Sequence, residues 1–127
     1  VMMRLEGDLA AACYSLKTKT LDKVALSAAS CHSVTVVAAS GGYPGQVKKG
    51  FPVRGLDHVK EATVFHMGTS AMPHVVTAGG RVLAVSATGS TLLTAREKAY
   101  RQLSSISFSD MVYRKDIGED LMDFKKQ

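Results

Sequence analysis

The chain has 127 residues, which suits one domain of ordinary size and excludes a two-domain enzyme with a closed cleft between its halves. Hydrophobic residues make up 46% and charged residues 21%, a composition typical of a globular protein and not of a disordered tail. The net charge of +5 comes from scattered basic residues without interleaved aromatic side chains, so we expect no nucleic acid as a partner, and the charge fits anionic metabolites equally well.

Two cysteines, Cys13 and Cys31, lie in different predicted elements without a CxxC pair or a secretion signal. We interpret them as reduced, buried thiols of a cytoplasmic protein. Residues 24–47 carry no charged side chain, but Ser, Thr, His, Gly and Pro interrupt them, so we expect no membrane span. The abrupt start at Val1 is interpreted as the cut end of a longer protein.

The first predicted element is an amphipathic helix over residues 4–17, in which apolar residues recur at steps of three and four: Leu5, Leu9, Ala12, Cys13 and Leu16. A short helical turn is expected at residues 21–24. Residues 34–39 are β-branched and apolar in both alternating sets, which predicts a strand buried on both faces. Pro52 limits residues 50–54 to a short or edge strand, and a brief turn follows at 56–59.

The next predicted strand covers residues 63–66. Residues 75–77 and 81–87 flank Ala78-Gly79-Gly80, which predicts a β-hairpin. Ser90 or Thr91 then caps a second helix, whose apolar face is formed by Leu92, Ala95, Ala99, Leu103 and Ile106. A short run at 111–113 and an acidic and then basic tail follow. This order predicts an α+β domain with a mostly antiparallel sheet and a C-terminal helix packed on it.

Three glycine-containing blocks, at residues 41–45, 65–69 and 77–83, follow one another at intervals of about one strand. Because glycine at such junctions permits positive φ or a close approach to a ligand, we expect these loops to gather at one edge of the sheet. Such an edge suits a phosphate-bearing small molecule. The amides of Gly79 and Gly80 would bind the phosphate together with the planar guanidinium of Arg81.

Simpler interpretations of the same residues stay open. Residues 41–45 lack the features of a P-loop and can be a plain turn, and Arg81 can be a solvated residue at a strand start. A lone histidine such as His66 is often a structural hydrogen-bonding residue. The four histidines have no metal-ligand spacing and no serine lies in a GxSxG motif, so we expect neither a metal site nor a self-contained hydrolase.

Five blocks, in this order, resemble the C-terminal part of the glycinamide ribonucleotide synthetase (phosphoribosylamine–glycine ligase) family. They are Arg4-Leu5-Glu6-Gly7-Asp8-Leu9, Gly42-Tyr43-Pro44-Gly45, Val64-Phe65-His66-Met67-Gly68-Thr69, the run from Val75 to Val85, and Tyr113-Arg114-Lys115-Asp116-Ile117-Gly118. The resemblance implies an ATP-grasp ligase of purine biosynthesis that uses ATP and Mg²⁺ (or Mn²⁺) to join glycine to 5-phosphoribosylamine through an acyl phosphate. It places the ATP and metal sites outside this chain, which would bind no cofactor, hold no catalytic residue and be inactive alone.

The resemblance also implies domain limits and site residues. Residues 1–31 would be the terminal helix and connector of the ATP-grasp core, and residues 32–127 the C-terminal domain. The partners would be 5-phosphoribosylamine, glycine and ATP, together with the remaining ATP-grasp and N-terminal domains. The expected phosphoribosylamine pocket consists of Arg81, Gly79, Gly80, Gly42, Tyr43, Pro44, Gly45, His66, Gly68 and Thr69.

Three positions depart from the family pattern: Ala78 stands in place of Asn, Met67 in place of Ala and Gly7 in place of Ser. Gly7 is expected to weaken the first helix by up to about 1 kcal/mol relative to Ala. Two other functions are kept as alternatives. One is a non-catalytic phosphate-binding or protein-docking module that uses an exposed stripe on the first helix, and the other is a nucleic-acid binder.

Overall fold

The structure, a computed structural model, describes residues 1–71 and 73–123. Its helices are α1 (Leu9–Thr18), α2 (Leu92–Leu103) and α3 (Glu119–Asp123), and short 3-10 turns occur at Met2–Arg4, Leu21–Lys23 and Leu56–His58. The strands are β1 (Leu5–Glu6), β2 (Ser27–Ala28), β3 (His32–Ser40), β4 (Thr63–His66), β5 (Thr69–Ser70), β6 (Val76–Thr77), β7 (Arg81–Gly89) and β8 (Met111–Val112). The basic end of the predicted tail, residues 124–127, lies outside the described residues.

The centre of the fold is a four-stranded sheet in the order β4-β7-β3-β8, with every neighbouring pair antiparallel. Helix α2 packs across β3 and β7 on one face of this sheet. The core lies between them and is built mainly from small and branched side chains, including Val36, Leu83, Val85, Ala99 and Leu103. The predicted α+β class, the antiparallel sheet and the helix packed on it are therefore confirmed.

Helix α2 begins as its sequence predicts. Thr91 is the N-cap: its hydroxyl accepts a hydrogen bond from the amide of Thr94, whose own hydroxyl accepts one from the amide of Thr91. Ala95, Ala99 and Leu103 are fully buried against the sheet. Ile106 is buried as well but follows the end of the helix.

The first helix is shorter than its apolar periodicity predicts. It begins at Leu9, because Asp8 is the N-cap and its carboxylate accepts a hydrogen bond from the amide of Ala11. Residues 5–6 form β1, which pairs with β2, and Gly7 has a φ of +112°. The expectation that Gly7 weakens the helix is wrong, since this glycine lies before the cap in a backbone conformation that other residues rarely adopt.

The predicted hairpin between residues 75–77 and 81–87 is also wrong. Strand β6 pairs with β5 on one edge, and on its other edge the amide of Thr77 donates to the carbonyl oxygen of Phe51. Both edges of β6 are thus occupied by other segments. Strand β7 pairs instead with β3 and β4.

Strand β3 is buried along one face, and on the opposite face burial is reached only at Ala39, near the end of the strand. Val34, Val36 and Ala38 face the core, whereas Thr35 is exposed and Val37 half-buried on the opposite face. Apolar side chains on both faces of a strand permit burial on both sides, but burial of the second face also requires another element to pack on it. The expected burial of both cysteines is wrong too, since Cys13 is exposed and Cys31 is half-buried, and both are free thiols.

Candidate functional site

The structure gathers the three glycine-containing blocks at one end of the sheet. Because the strands are antiparallel, the ends of β3 and β4 lie beside the start of β7. Ala39 pairs with Arg81, and His66 pairs with Leu83. The loop 41–45, the turn at Gly68 and the turn at Gly79–Gly80 therefore meet where β7 begins.

Ser40, the last residue of β3, connects two of these blocks. Its hydroxyl donates to the carbonyl oxygen of Gly79 at 3.0 Å, and its amide donates to the carbonyl oxygen of Gly80 at 2.8 Å. Its own carbonyl oxygen accepts a hydrogen bond of 3.1 Å from the amide of Tyr43. Sequence reasoning missed Ser40, because nothing local in the sequence indicates partners 39 and 40 residues further along the chain.

The backbones in this region approach each other closely. A Cβ added to Gly68 would lie 2.5 Å from the carbonyl oxygen of Arg81, and one added to Gly80 would lie 2.4 Å from Cδ2 of the Tyr43 ring. Within the loop 41–45, Gly42 has a φ of +90°, and its carbonyl oxygen accepts a hydrogen bond from the amide of Gly45. The Tyr43–Pro44 peptide bond is cis.

Arg81 offers its guanidinium to solvent at this end of the sheet. Within residues 1–71 and 73–123 its side chain forms neither a hydrogen bond nor an ion pair, and the amides of Gly79 and Gly80 donate to no acceptor. A guanidinium beside free amide donors has the chemistry of an anion site, because all of these groups are hydrogen-bond donors and the guanidinium carries a permanent positive charge.

His66 lies on the other face of the sheet from Arg81. Phe65 pairs with Ala84, and Ala84 pairs with Val37, so these three side chains lie on the same face of the sheet. Ala39 lies on this face too, because it is two residues beyond Val37 on the same strand. Side chains alternate along a strand, so His66 points to the face opposite to that of Phe65. Ala39 is in turn the partner of Arg81. The imidazole Nδ1 of His66 instead lies 2.9 Å from the hydroxyl of Thr69.

A groove of about 540 Å³ extends from Arg81 across the open face of the sheet. Its floor is mostly apolar, and its lining consists of Thr35, Val37, Ala39, Tyr43, Arg81, Val112, Tyr113, Arg114 and Ile117. The wall opposite Arg81 is thus the Tyr113–Gly118 segment, which carries one of the five resemblance blocks but contains none of the predicted site residues.

Side chains of helix α2 form hydrogen bonds with the backbone of this wall. The hydroxyl of Tyr100 donates to the carbonyl oxygen of Arg114 at 2.7 Å and accepts from the amide of Ile117 at 3.1 Å. Arg96, whose guanidinium lies over the ring of Tyr100, donates to the carbonyl oxygens of Lys115 and Ile117. These contacts connect the wall of the groove to the helix that packs on the sheet.

The second arginine of the groove is paired. The Nε and Nη2 atoms of Arg114 donate to the two carboxylate oxygens of Asp116 at 2.9 and 2.6 Å. These hydrogen bonds, made to the ionised carboxylate, hold the pKa of Asp116 at about 2, below the usual 3.8, and they raise the pKa of Arg114. Arg114 is therefore neutralised locally, in contrast to Arg81.

The described part of the chain contains no group of three or more His, Cys, Asp or Glu residues that could hold a metal ion. Within the same residues, no helix is long and apolar enough to cross a membrane.

Comparison with known proteins gives a consistent result. Residues 33–120 match the family model described as "Phosphoribosylglycinamide synthetase, C domain". The chain is 55% identical over 86 residues to a phosphoribosylamine–glycine ligase of Caldanaerobacter subterraneus, a match that covers 67% of this chain and 21% of the relative. It is 43% identical over 121 residues to the same ligase of Pseudomonas putida, covering 93% of this chain and 28% of the relative.

A solved structure agrees with these matches. The crystal structure of a phosphoribosylamine–glycine ligase from Thermotoga maritima superposes with a TM-score of 0.61 and 37% sequence identity, covering 67% of this chain and 21% of that one. The chain thus spans between a fifth and about three tenths of the length of these relatives.

Proposed function

Because the chain belongs to the family of the phosphoribosylglycinamide synthetase C domain, we propose that it is the C-terminal part of an ADP-forming ligase that joins glycine to 5-phosphoribosylamine. Residues 1–31 would be the last helix and connector of the ATP-grasp core, and residues 32–127 the C-terminal domain. The partners would be the remaining domains of the same enzyme and its substrates glycine, 5-phosphoribosylamine and ATP.

The proposed reaction has two steps. A carboxylate oxygen of glycine attacks the γ-phosphorus of ATP, which releases ADP and leaves an acyl phosphate. The amine nitrogen of 5-phosphoribosylamine then attacks the acyl carbon, the phosphate departs, and the nitrogen loses a proton to give the amide. The described residues contain no group of three or more His, Cys, Asp or Glu residues that could hold a metal ion, and no step is assigned to Mg²⁺ in this chain.

The contribution of this chain would be to bind the phosphate of 5-phosphoribosylamine. The observation that carries this assignment is the exposed Arg81 beside the amides of Gly79 and Gly80, all of which have no hydrogen-bond or ion-pair partner among residues 1–71 and 73–123. Arginine can form two parallel hydrogen bonds to a phosphate, and the two amides would add neutral donors next to it. Tyr43, Pro44 and the glycines at 42, 45 and 68 would shape this end of the site, and His66 with Thr69 would support Gly68 from the other face.

Ribose 5-phosphate is a stable probe for the proposed site. In ¹H–¹⁵N spectra of the chain, we expect it to shift the amide signals of Gly79, Gly80 and Arg81 in a saturable manner. Arg81→Ala should weaken this binding by at least tenfold, because a charge-assisted hydrogen bond is lost. Arg101→Ala is the matched control: Arg101 is exposed and pairs with Glu61, away from the site. Equal affinity of the wild type and Arg81→Ala would remove Arg81 from the site.

We also propose that the chain has no ligase activity alone. Catalysis of this kind needs groups from several domains held in near-attack geometry, which one phosphate site cannot replace. Addition of ATP, Mg²⁺, glycine and phosphoribosylamine should therefore yield no ADP above the rate without protein. Steady ADP release that depends on glycine would contradict this proposal.

A protein-docking module is the second candidate, and the exposure of α1 favours it. Leu9 and Leu16 lie at 41% and 63% exposure, and Cys13, which shares their side of the helix, is exposed as well. An apolar stripe of this kind is typical of a surface that packs against another protein. Size-exclusion chromatography over a hundredfold range of concentration distinguishes the outcomes, since a docking surface that binds a second copy would shift the elution volume, and a constant monomer would argue against self-association.

A further inference from the structure

The hydroxyl of Ser40 is hydrogen-bonded to the Gly79–Gly80 turn and so influences the direction in which the backbone N–H groups of this turn point. Ser40 is 2% exposed, yet its hydroxyl and its amide donate to two consecutive carbonyl oxygens, those of Gly79 and Gly80. We propose that Ser40 is a positioning residue that orients the amide of Gly80 toward the bound phosphate. The inference rests on the phosphate site proposed above and adds a residue to it.

The geometry of the peptide unit carries the argument. In a trans peptide bond the carbonyl and the N–H point in opposite directions, and the cis bond found among the described residues is the one at Tyr43–Pro44. The carbonyls of Gly79 and Gly80 both point to Ser40. The N–H groups of the same two units, which belong to Gly80 and Arg81, therefore both point away from Ser40. Successive N–H groups on one side form a concave anion site.

The turn needs this restraint because both residues are glycine. Rotation of the Gly79–Gly80 peptide unit changes only ψ of Gly79 and φ of Gly80, and neither residue has a Cβ to oppose it. The hydroxyl of Ser40 donates to the carbonyl oxygen of Gly79 and so restrains the Gly79–Gly80 peptide unit. The amide of Ser40 donates to the carbonyl oxygen of Gly80 and so restrains the next peptide unit, Gly80–Arg81. Removal of the hydroxyl thus releases one peptide unit and leaves the backbone ladder in place.

Ser40→Ala tests this role, and Ser86→Ala is its matched control. Both serines are buried in the central sheet at 2% exposure, but the hydroxyl of Ser86 lies 2.7 Å from that of Thr35 and makes no contact with the turn. We expect Ser40→Ala to weaken ribose 5-phosphate binding about fivefold, the equivalent of about 1 kcal/mol for one neutral hydrogen bond. Ser86→Ala should stay within about twofold of the wild type.

A second measurement reports the orientation without any ligand. The ¹H–¹⁵N residual dipolar coupling of Gly80 should change in Ser40→Ala and match the wild type in Ser86→Ala. If Ser40→Ala retains both the wild-type affinity and the wild-type coupling, the inference is overturned. If the wild type does not bind ribose 5-phosphate, the proposed phosphate site fails, while the coupling of Gly80 still decides whether Ser40 orients the turn.

Discussion

The ring of Tyr43 lies directly against the α-carbon of Gly80. A Cβ added to that glycine would come within 2.4 Å of Cδ2 and 3.0 Å of Cε2 of the tyrosine. The loop 41–45 therefore packs on the turn that carries the free amides, although the two segments are separated by more than thirty residues of sequence. The contact makes the conformation of each segment depend on the other.

Gly80→Ala should disturb this contact because the new methyl group occupies the space of the tyrosine ring. We expect it to lower the free energy of unfolding by about 1–2 kcal/mol, a typical cost of overpacking. In a Tyr43→Ala background the same change should cost much less, since the ring is gone. Urea denaturation of the four proteins measures the coupling. Equal costs in both backgrounds would show that the ring is not what opposes a side chain at position 80.

Gly68 and Gly79 are neighbours that should respond differently to alanine. A Cβ on Gly68 would lie 2.5 Å from the carbonyl oxygen of Arg81, whereas the nearest atom to one on Gly79 is the α-carbon of Gly68 at 3.4 Å. Because the backbone of β7 cannot yield as a side chain can, Gly68→Ala should lower the free energy of unfolding by about 2–3 kcal/mol. Gly79→Ala should stay within about 0.5 kcal/mol of the wild type. Similar losses in both variants would contradict the close approach at Gly68.

The ion pair between Arg114 and Asp116 should be visible in the titration of the carboxylate. We expect a pKa of about 2 for Asp116, measured by the ¹³C chemical shift of its carboxyl group. Arg114→Ala should raise this pKa toward the usual value, since it removes both hydrogen bonds, and the control Arg101→Ala should leave it unchanged. A pKa that stays near 2 in Arg114→Ala would assign the shift to another cause.

The same pair predicts the sign of one pH effect. The pKa of Asp116 is lower in the folded protein than in the unfolded chain, so its contribution to stability is complete above about pH 4 and is lost as the pH falls toward 2. Arg114→Ala should therefore narrow the difference in stability between pH 5 and pH 2, as measured by urea denaturation at both values. An unchanged difference would contradict this linkage.

A comparison of Gly7 with Gly50 tests whether the chain at position 7 lies outside helix α1, before its N-cap. Both have positive φ, at +112° and +87°, but a Cβ on Gly7 would lie 2.6 Å from the carbonyl oxygen of Ala25, while nothing lies within 4 Å of one on Gly50. Gly50→Ala should cost about 1 kcal/mol for its backbone conformation alone. Gly7→Ala should cost about 1–2 kcal/mol more. A stabilising effect of Gly7→Ala would instead support a helix through position 7.

The sequence predicts well those elements whose formation depends on residues close to one another in the chain. Helix α2 carries its own periodicity, and its cap lies within three residues of Thr91. The gathering of the glycine blocks follows from placing a glycine at the end of each strand in an antiparallel sheet. The start of α1 could not be predicted from periodicity, because Leu5 fits the helical spacing but forms a strand with residues that lie more than twenty positions away.

The other differences between prediction and structure arise from contacts between residues that are far apart in the sequence. Strand β6 is followed by a Gly-Gly turn, yet residues 50–54 and β5 occupy both of its edges. The place of Arg81 beside two glycines predicts its role in the site, and that role stays a prediction. The sequence does not predict the positions of Ser40 and of the Tyr113–Gly118 segment, because these positions depend on contacts across the sheet and with α2.

The most direct test of the central claim is the effect of Arg81→Ala in a full-length ligase that carries this domain, with Arg101→Ala as the control. The account predicts an apparent KM for 5-phosphoribosylamine at least tenfold higher in Arg81→Ala, because a charge-assisted contact to phosphate is lost, and a KM for ATP within about twofold of the wild type. Arg101→Ala should leave both constants unchanged. An unaltered KM for 5-phosphoribosylamine in Arg81→Ala, or an equal rise in the KM for ATP, would contradict the account.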